Sequence, residues 1–112
     1  MKIPNADHPV VDIRKLRDYC LSPSHVCGKH KARLFAAALG ITSDNAEYLR
    51  DALLHAVKTY EAQFGKRDAY GQRYTVDFIL ETGEKQAVIR SAWIVECHAN
   101  NPSLTTCYPL SL

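Results

Sequence analysis

Apolar positions recur at helical spacing through the first half of the chain and switch to alternation after Phe64-Gly65. Residues 1–9 carry two prolines and an Asn-Ala-Asp-His stretch, which predicts an irregular lead-in. Val10, Ile13, Leu16 and Leu21 then fall on one side of a segment otherwise filled with Asp12, Arg14, Lys15, Arg17 and Asp18, predicting a short amphipathic helix over 10–20. Ser22-Pro23-Ser24 breaks it. A second helix is predicted from Lys29 to Leu39, where Leu34 and Ala38, and Phe35 and Leu39, stand at i,i+4, with Gly40 as its C-cap. Residues 42–45 supply N-cap candidates for a third helix, with Asp44 and Glu47 at capping-box spacing. Ala46, Leu49, Leu53, Ala56, Val57 and Tyr60 form its apolar stripe.

In the second half, Tyr74, Val76, Phe78 and Leu80 share one face of an extended segment. Gly83 marks a hairpin turn. The strand over 86–96 carries Ala87, Ile89, Ser91, Trp93 and Val95 on one face and Val88, Arg90, Ala92 and Ile94 on the other, so it is expected to be central and covered on both faces. Asn100-Asn101-Pro102 makes the next turn, and a last strand follows over 104–110 with Thr106, Tyr108 and Leu110 in register. The expected fold is α+β: about three N-terminal helices packed on a C-terminal antiparallel sheet of three to four strands.

Length narrows this to one domain over residues 1–112, at about 150 residues per domain. With 46% hydrophobic and 23% charged residues the composition excludes disordered, collagenous and disulfide-scaffold classes. Fourteen Lys and Arg against twelve Asp and Glu leave +2, far from a strongly basic nucleic-acid binder, so an anionic substrate must be met by a local cluster. The four cysteines, Cys20, Cys27, Cys97 and Cys107, contain no CxxC pair, and no metal site or cofactor is expected from them. Without a signal-like N-terminus or an apolar run near the ~20 residues of a bilayer span, the expectation is a cytoplasmic chain with reduced thiols and no membrane association.

Three constellations carry candidate chemistry. Lys29, His30, Lys31 and Arg33 open the second helix, where cations oppose the macrodipole; they are read either as a phosphate site with His30 as acid or base, or as a solvated basic face. Arg90, beside Ser91 in an apolar strand, needs either Asp77 on the neighbouring strand as an ion-pair partner or an open groove in which to stabilise a phosphate. Thr106 and Tyr108 place hydroxyls at alternate positions of the last strand, where they either pack or orient a phosphodiester. No GxxxxGK[ST], GxSxG or HExxH pattern is present.

With these residues in view the chain resembles an uncharacterised bacterial family, domain of unknown function 6883. The resemblance is carried by Ile3-Pro4-Asn5-Ala6-Asp7-His8, Gly28-Lys29-His30-Lys31-Ala32-Arg33, Arg90-Ser91-Ala92-Trp93-Ile94-Val95 and Leu104-Thr105-Thr106-Cys107-Tyr108. More distantly, helices followed by a meander ending in a Thr-x-Tyr strand are similar to the barnase, EndoU, colicin and RelE-like ribonucleases. That resemblance implies a toxin-type, metal-independent endoribonuclease without a cofactor. In it, His30, Lys31, Arg90, Ser91, Thr106 and Tyr108 would act at the phosphodiester while Lys29 and Arg33 bind substrate, and a small neutralising protein would be a partner besides RNA. The competing expectation is a non-enzymatic protein-binding module, toxin–antitoxin or immunity-like. Monomer and homodimer both fit, the latter through the last strand if that strand is an edge. Convergence of His30, Lys31, Arg90 and Tyr108 on one surface favours the enzyme; Arg90 neutralised by Asp77 in the core, with His30 remote, favours the module.

Overall fold

The computed structural model describes residues 1–110 and shows an α+β fold in which a helical first half packs on one face of a four-stranded antiparallel meander. Helix α1 is a single turn, Ile13–Lys15, widened directly into a π-helical turn, Leu16–Cys20. The helix predicted from Val10 starts later because the Asp12 carboxylate accepts the Arg14 amide at 3.0 Å. Val10 instead forms an isolated parallel bridge with Ser103. The π widening closes with the Leu21 amide donating to the Leu16 carbonyl at 2.8 Å, and it points both Leu16 and Cys20 into the core.

Helix α2, Lys29–Leu39, buries Ala32, Phe35 and Leu39 and ends on Gly40, whose φ of 67° is the left-handed conformation that closes a helix. Leu34 of the expected Leu34–Ala38 pair lies on the solvent side. Thr42 and Asn45, rather than Asp44 and Glu47, form the capping box, holding a 3-10 turn, Ser43–Asn45, that leads into α3, Ala46–Thr59. The α3 stripe is buried as its spacing predicts, except that Tyr60 caps the helix and is exposed.

The sheet runs in the order β1 (Ala62–Asp68), β2 (Gly71–Thr82), β3 (Lys85–Glu96) and β4 (Ser103–Pro109). Edge strand β1 buries only Ala62, so it lacks the alternation that announces β2. Helix α2 packs on β3 and β4, and α3 on β2. Beneath them Tyr74, Val76, Phe78 and Leu80 of β2 meet Ala87, Ile89 and Trp93 of β3. The expectation that β3 is covered on both faces does not hold. Towards the β2–β3 hairpin the outer face is open, with Ile79 58% exposed and its cross-strand partner Val88 at 36%, while Ile94 at the far end is buried. Ile79 and Val88 stand opposite one another across the strand pair and remain exposed, which alternation by itself does not distinguish from burial under a second layer. In β4 the register slips between Ala92 and Trp93, and Thr105 is left over in the bulge, its hydroxyl donating to the Ala92 carbonyl at 3.0 Å.

Candidate functional site

The start of α2 is built by the loop before it. Gly28, the N-cap, has no side chain to offer, and the imidazole Nδ1 of His25 takes that role, accepting the amides of Cys27 and Gly28 at 3.0 Å each. The His25 ring stands edge-on to Tyr19, with centroids 4.8 Å apart. Once α2 is anchored there, its turn of about 100° per residue divides the contiguous basic run. With Ala32 and Phe35 facing the core, Lys31 falls on the flank beside β4, Lys29 and Arg33 on the opposite flank, and His30 on the solvent side between them.

Lys31 is half-buried. Its Nζ donates to the Tyr19 hydroxyl at 2.9 Å and lies 5.0 Å from the Tyr19 ring centre and 5.9 Å from that of Tyr108. The hydrogen bond to Tyr19 raises the Lys31 pKa against the smaller opposing effect of burial, and the nearby Cys20 and Tyr108 add to the rise, so Lys31 is a persistent cation.

Tyr108 stands directly across the β3–β4 ladder from Arg90. Arg90 in turn makes the ion pair with Asp77 that the strand register anticipates, bidentate at 2.9 and 2.8 Å. The pair is not in the core: the side chains are 38% and 36% exposed, which limits its worth to stability to about 1 kcal/mol or less. Asp77 first, and Tyr108 secondarily, raise the Arg90 pKa. Two of the five guanidinium donors are used on Asp77, and Tyr108 lies within reach of the guanidinium as well.

Beneath Tyr108, the Thr106 hydroxyl is 3.8 Å from the Cys20 sulfur, and Cys107 reaches the same thiol from the core face of β4. Hydrogen bonding from Cys107 is the main cause that lowers Cys20 from 9.0 to about 6, with Thr106 and the Lys31 charge contributing; Cys107, buried and sharing that proton, is raised. The folded chain therefore releases the Cys20 proton at a pH where the unfolded chain still holds it. Stability is expected to rise with pH between about 6 and 9 and to be lost as pH falls through about 6. Denaturant melts and the ultraviolet absorbance of thiolate check this, and a Cys20→Ser variant that keeps the same pH dependence overturns the assignment.

The structure thus brings Lys31, Arg90, Thr106 and Tyr108 to one edge of the sheet. It separates Lys29 and Arg33 from them, and it turns His30 to solvent, about 100° round the helix from Lys31, so His30 does not converge with Lys31, Arg90 and Tyr108 as the ribonuclease expectation asked. Ser91 is fully buried; its hydroxyl donates to the Val76 carbonyl at 2.7 Å and accepts the Trp93 indole at 2.9 Å, which completes the core around the tryptophan. Tyr19 and Cys20 belong to the cluster and carry no motif that announces them. Among the described residues no three His, Cys, Asp or Glu side chains gather as metal ligands, and no helix is long and apolar enough to cross a membrane.

The sequence matches the model of a domain of unknown function, DUF6883, over residues 2–111. No curated protein matches the chain. Among solved structures, a chain of a contact-dependent growth inhibition toxin–immunity protein complex from Klebsiella pneumoniae 342 is similar, with a TM-score of 0.70 at 17% identity. The match covers 96% of this chain and 98% of that one, and at this identity it is a likeness of fold. With nearly its whole length matched, the chain belongs to the DUF6883 family.

Proposed function

We propose that this member of the DUF6883 family is a toxin-type endoribonuclease that cleaves RNA without a metal ion, at the edge of the sheet where Lys31, Arg90, Thr106 and Tyr108 meet. The observation that carries this reading is the Tyr108 phenol, with the Lys31 ammonium 5.9 Å from its ring and the Arg90 guanidinium directly across the ladder. Two cations flanking one tyrosine side chain match the demands of transesterification. The ribose 2′-oxygen bonds to phosphorus, the bond to the 5′-oxygen breaks, one proton leaves the 2′-hydroxyl and another reaches the leaving oxygen. Lys31 and Arg90 oppose the charge that grows on the non-bridging oxygens. Tyr108 and Thr106 orient the phosphodiester, Tyr108 also serves in proton transfer, and the exposed His30 serves as base or acid. Ser91, with its hydroxyl committed inside the core, has no part. The fold likeness to a chain from a toxin–immunity complex supports the toxin-type reading, with a small neutralising protein as partner.

A second reading is favoured by one observation. The exposed Ile79–Val88 pair lies next to the Arg90–Asp77 pair on the open sheet face, an arrangement that suits a non-catalytic module binding a protein partner. Purified protein incubated with total bacterial RNA in the presence of a chelator separates the two. Cleavage products ending in a cyclic phosphate and a free 5′-hydroxyl are expected, with slower cleavage by Arg90→Ala, Tyr108→Phe and His30→Ala. Intact RNA with the unmodified protein removes the ribonuclease reading and leaves the binding module.

A further inference from the structure

The flank of α2 opposite Lys31 borders a separate concavity of about 390 Å³, a size that suits a small organic ligand. Its floor is apolar: Leu21, Ala32 and Ile41, all at most 6% exposed, with Ala36 beside them. Lys29 and Arg33 form one lip, and Ser43 and Asp44, on the capped 3-10 turn, form the other. The two cations stand one helical turn apart, a like-charge spacing that is unfavourable by itself. Among the described residues neither makes an ion pair, and the Asp44 side chain across the groove has none either.

We propose that this groove is a nucleotide subsite, in which Lys29 and Arg33 hold a phosphate flanking the scissile one and a base rests on the apolar floor against the Ser43–Asp44 lip. The strand's identity as RNA rests on the ribonuclease reading; the recognition of a nucleotide rests on the groove. Two cations call for an anion at one lip, while a carboxylate at the other repels a ligand that is anionic throughout. A nucleotide is anionic at one end and presents N–H donors at the other, to which Asp44 and Ser43 are complementary. Small side chains such as Ala32 and Ala36 leave the floor low enough for the face of a base. A helix about 10 Å across separates the groove from Lys31, so a single strand passing over the start of α2, along exposed His30, touches both.

The probe is a 2′-O-methyl RNA tetranucleotide, which binds without being open to attack by a 2′-hydroxyl, followed by amide chemical shifts. Shifts are expected at Ala36, Ile41 and Ser43. The Lys29→Ala/Arg33→Ala variant, changed only at exposed positions, is expected to bind about tenfold more weakly with a shallower salt dependence, and inorganic phosphate alone at least about tenfold more weakly than the tetranucleotide. Shifts confined to other surfaces, equal affinity in the double variant, or an acidic peptide that shifts the same amides as strongly as RNA would overturn the subsite. Groove shifts without any cleavage of unmodified RNA by the wild type remove the ribonuclease reading and keep the subsite. Cleavage without groove shifts does the reverse.

Discussion

Lys31→Ala is expected to slow RNA cleavage by about 10²- to 10³-fold, the usual cost of deleting one preorganised donor from a centre that stabilises developing negative charge. The size of the effect follows from how Lys31 is held. Its ammonium is pinned at 2.9 Å from the Tyr19 hydroxyl and faces the Tyr108 ring, so little reorganisation is needed when charge appears on a phosphate. Its raised pKa keeps it charged at the pH at which Cys20 titrates, so the change in rate reads the loss of a cation and not a shifted titration. The folding cost is small by comparison, about 1 kcal/mol for one half-buried hydrogen bond, and a thermal melt separates the two effects. Single-turnover cleavage by Lys31→Ala at the wild-type rate, with the melt unchanged, would place the reacting centre elsewhere.

Gly28→Ala is expected to destabilise the fold by about 3 kcal/mol, near the upper end for overpacking, and to lower the melting temperature by roughly 10–20 °C. A Cβ at Gly28 would lie 2.0 Å from the Tyr19 carbonyl oxygen and 2.8 Å from its carbon, both backbone atoms that no rotamer change can move aside. The backbone of Gly28, at φ −91°, is open to any residue, so the cost is contact and not conformation. Relief requires the π-helical turn to retreat from α2, which displaces Tyr19 and with it both the partner of Lys31 and the ring that His25 meets. Cleavage is therefore expected to fall further than stability alone predicts. Gly40→Ala is the control: nothing lies within 4 Å of its added Cβ, and only the left-handed φ of 67° is penalised, at about 1 kcal/mol. A Gly28→Ala protein that melts with the wild type would show that the approach of α2 to Tyr19 is looser than the structure has it.

Much of the architecture is legible along the chain because periodicity is a local property. The buried stripe of α3 and the core face of β2 follow from spacing alone. Strand β1 is silent, since an edge strand that buries only Ala62 has no alternation to display. The outer face of β3 misleads for the opposite reason, since apolar Val88 and its cross-strand partner Ile79 display a buried pattern yet no second layer covers them.

The candidate site divides along the same line. Residue types and strand register offered Asp77 as one of the two expected fates of Arg90, because partners in an antiparallel pair are fixed once the hairpin turn is placed. Whether the pair lay in the core or at an open face was decided by which side of the sheet the helices cover, and they leave that side open. Lys29, His30, Lys31 and Arg33 read as one cluster in sequence. A helix sends neighbours in different directions, so only the packing of Ala32 and Phe35 decided that Lys31 joins Tyr108 while Lys29 and Arg33 border the groove. Tyr19 and Cys20 enter the site through the π-helical turn and its contact with Gly28, and Thr106 and Tyr108 take their places after the β4 bulge. Each of these is an irregularity that adds or removes a residue from a regular repeat. Composition and spacing set the elements and their faces, and the tertiary contacts that these irregularities permit set which side chains share a surface.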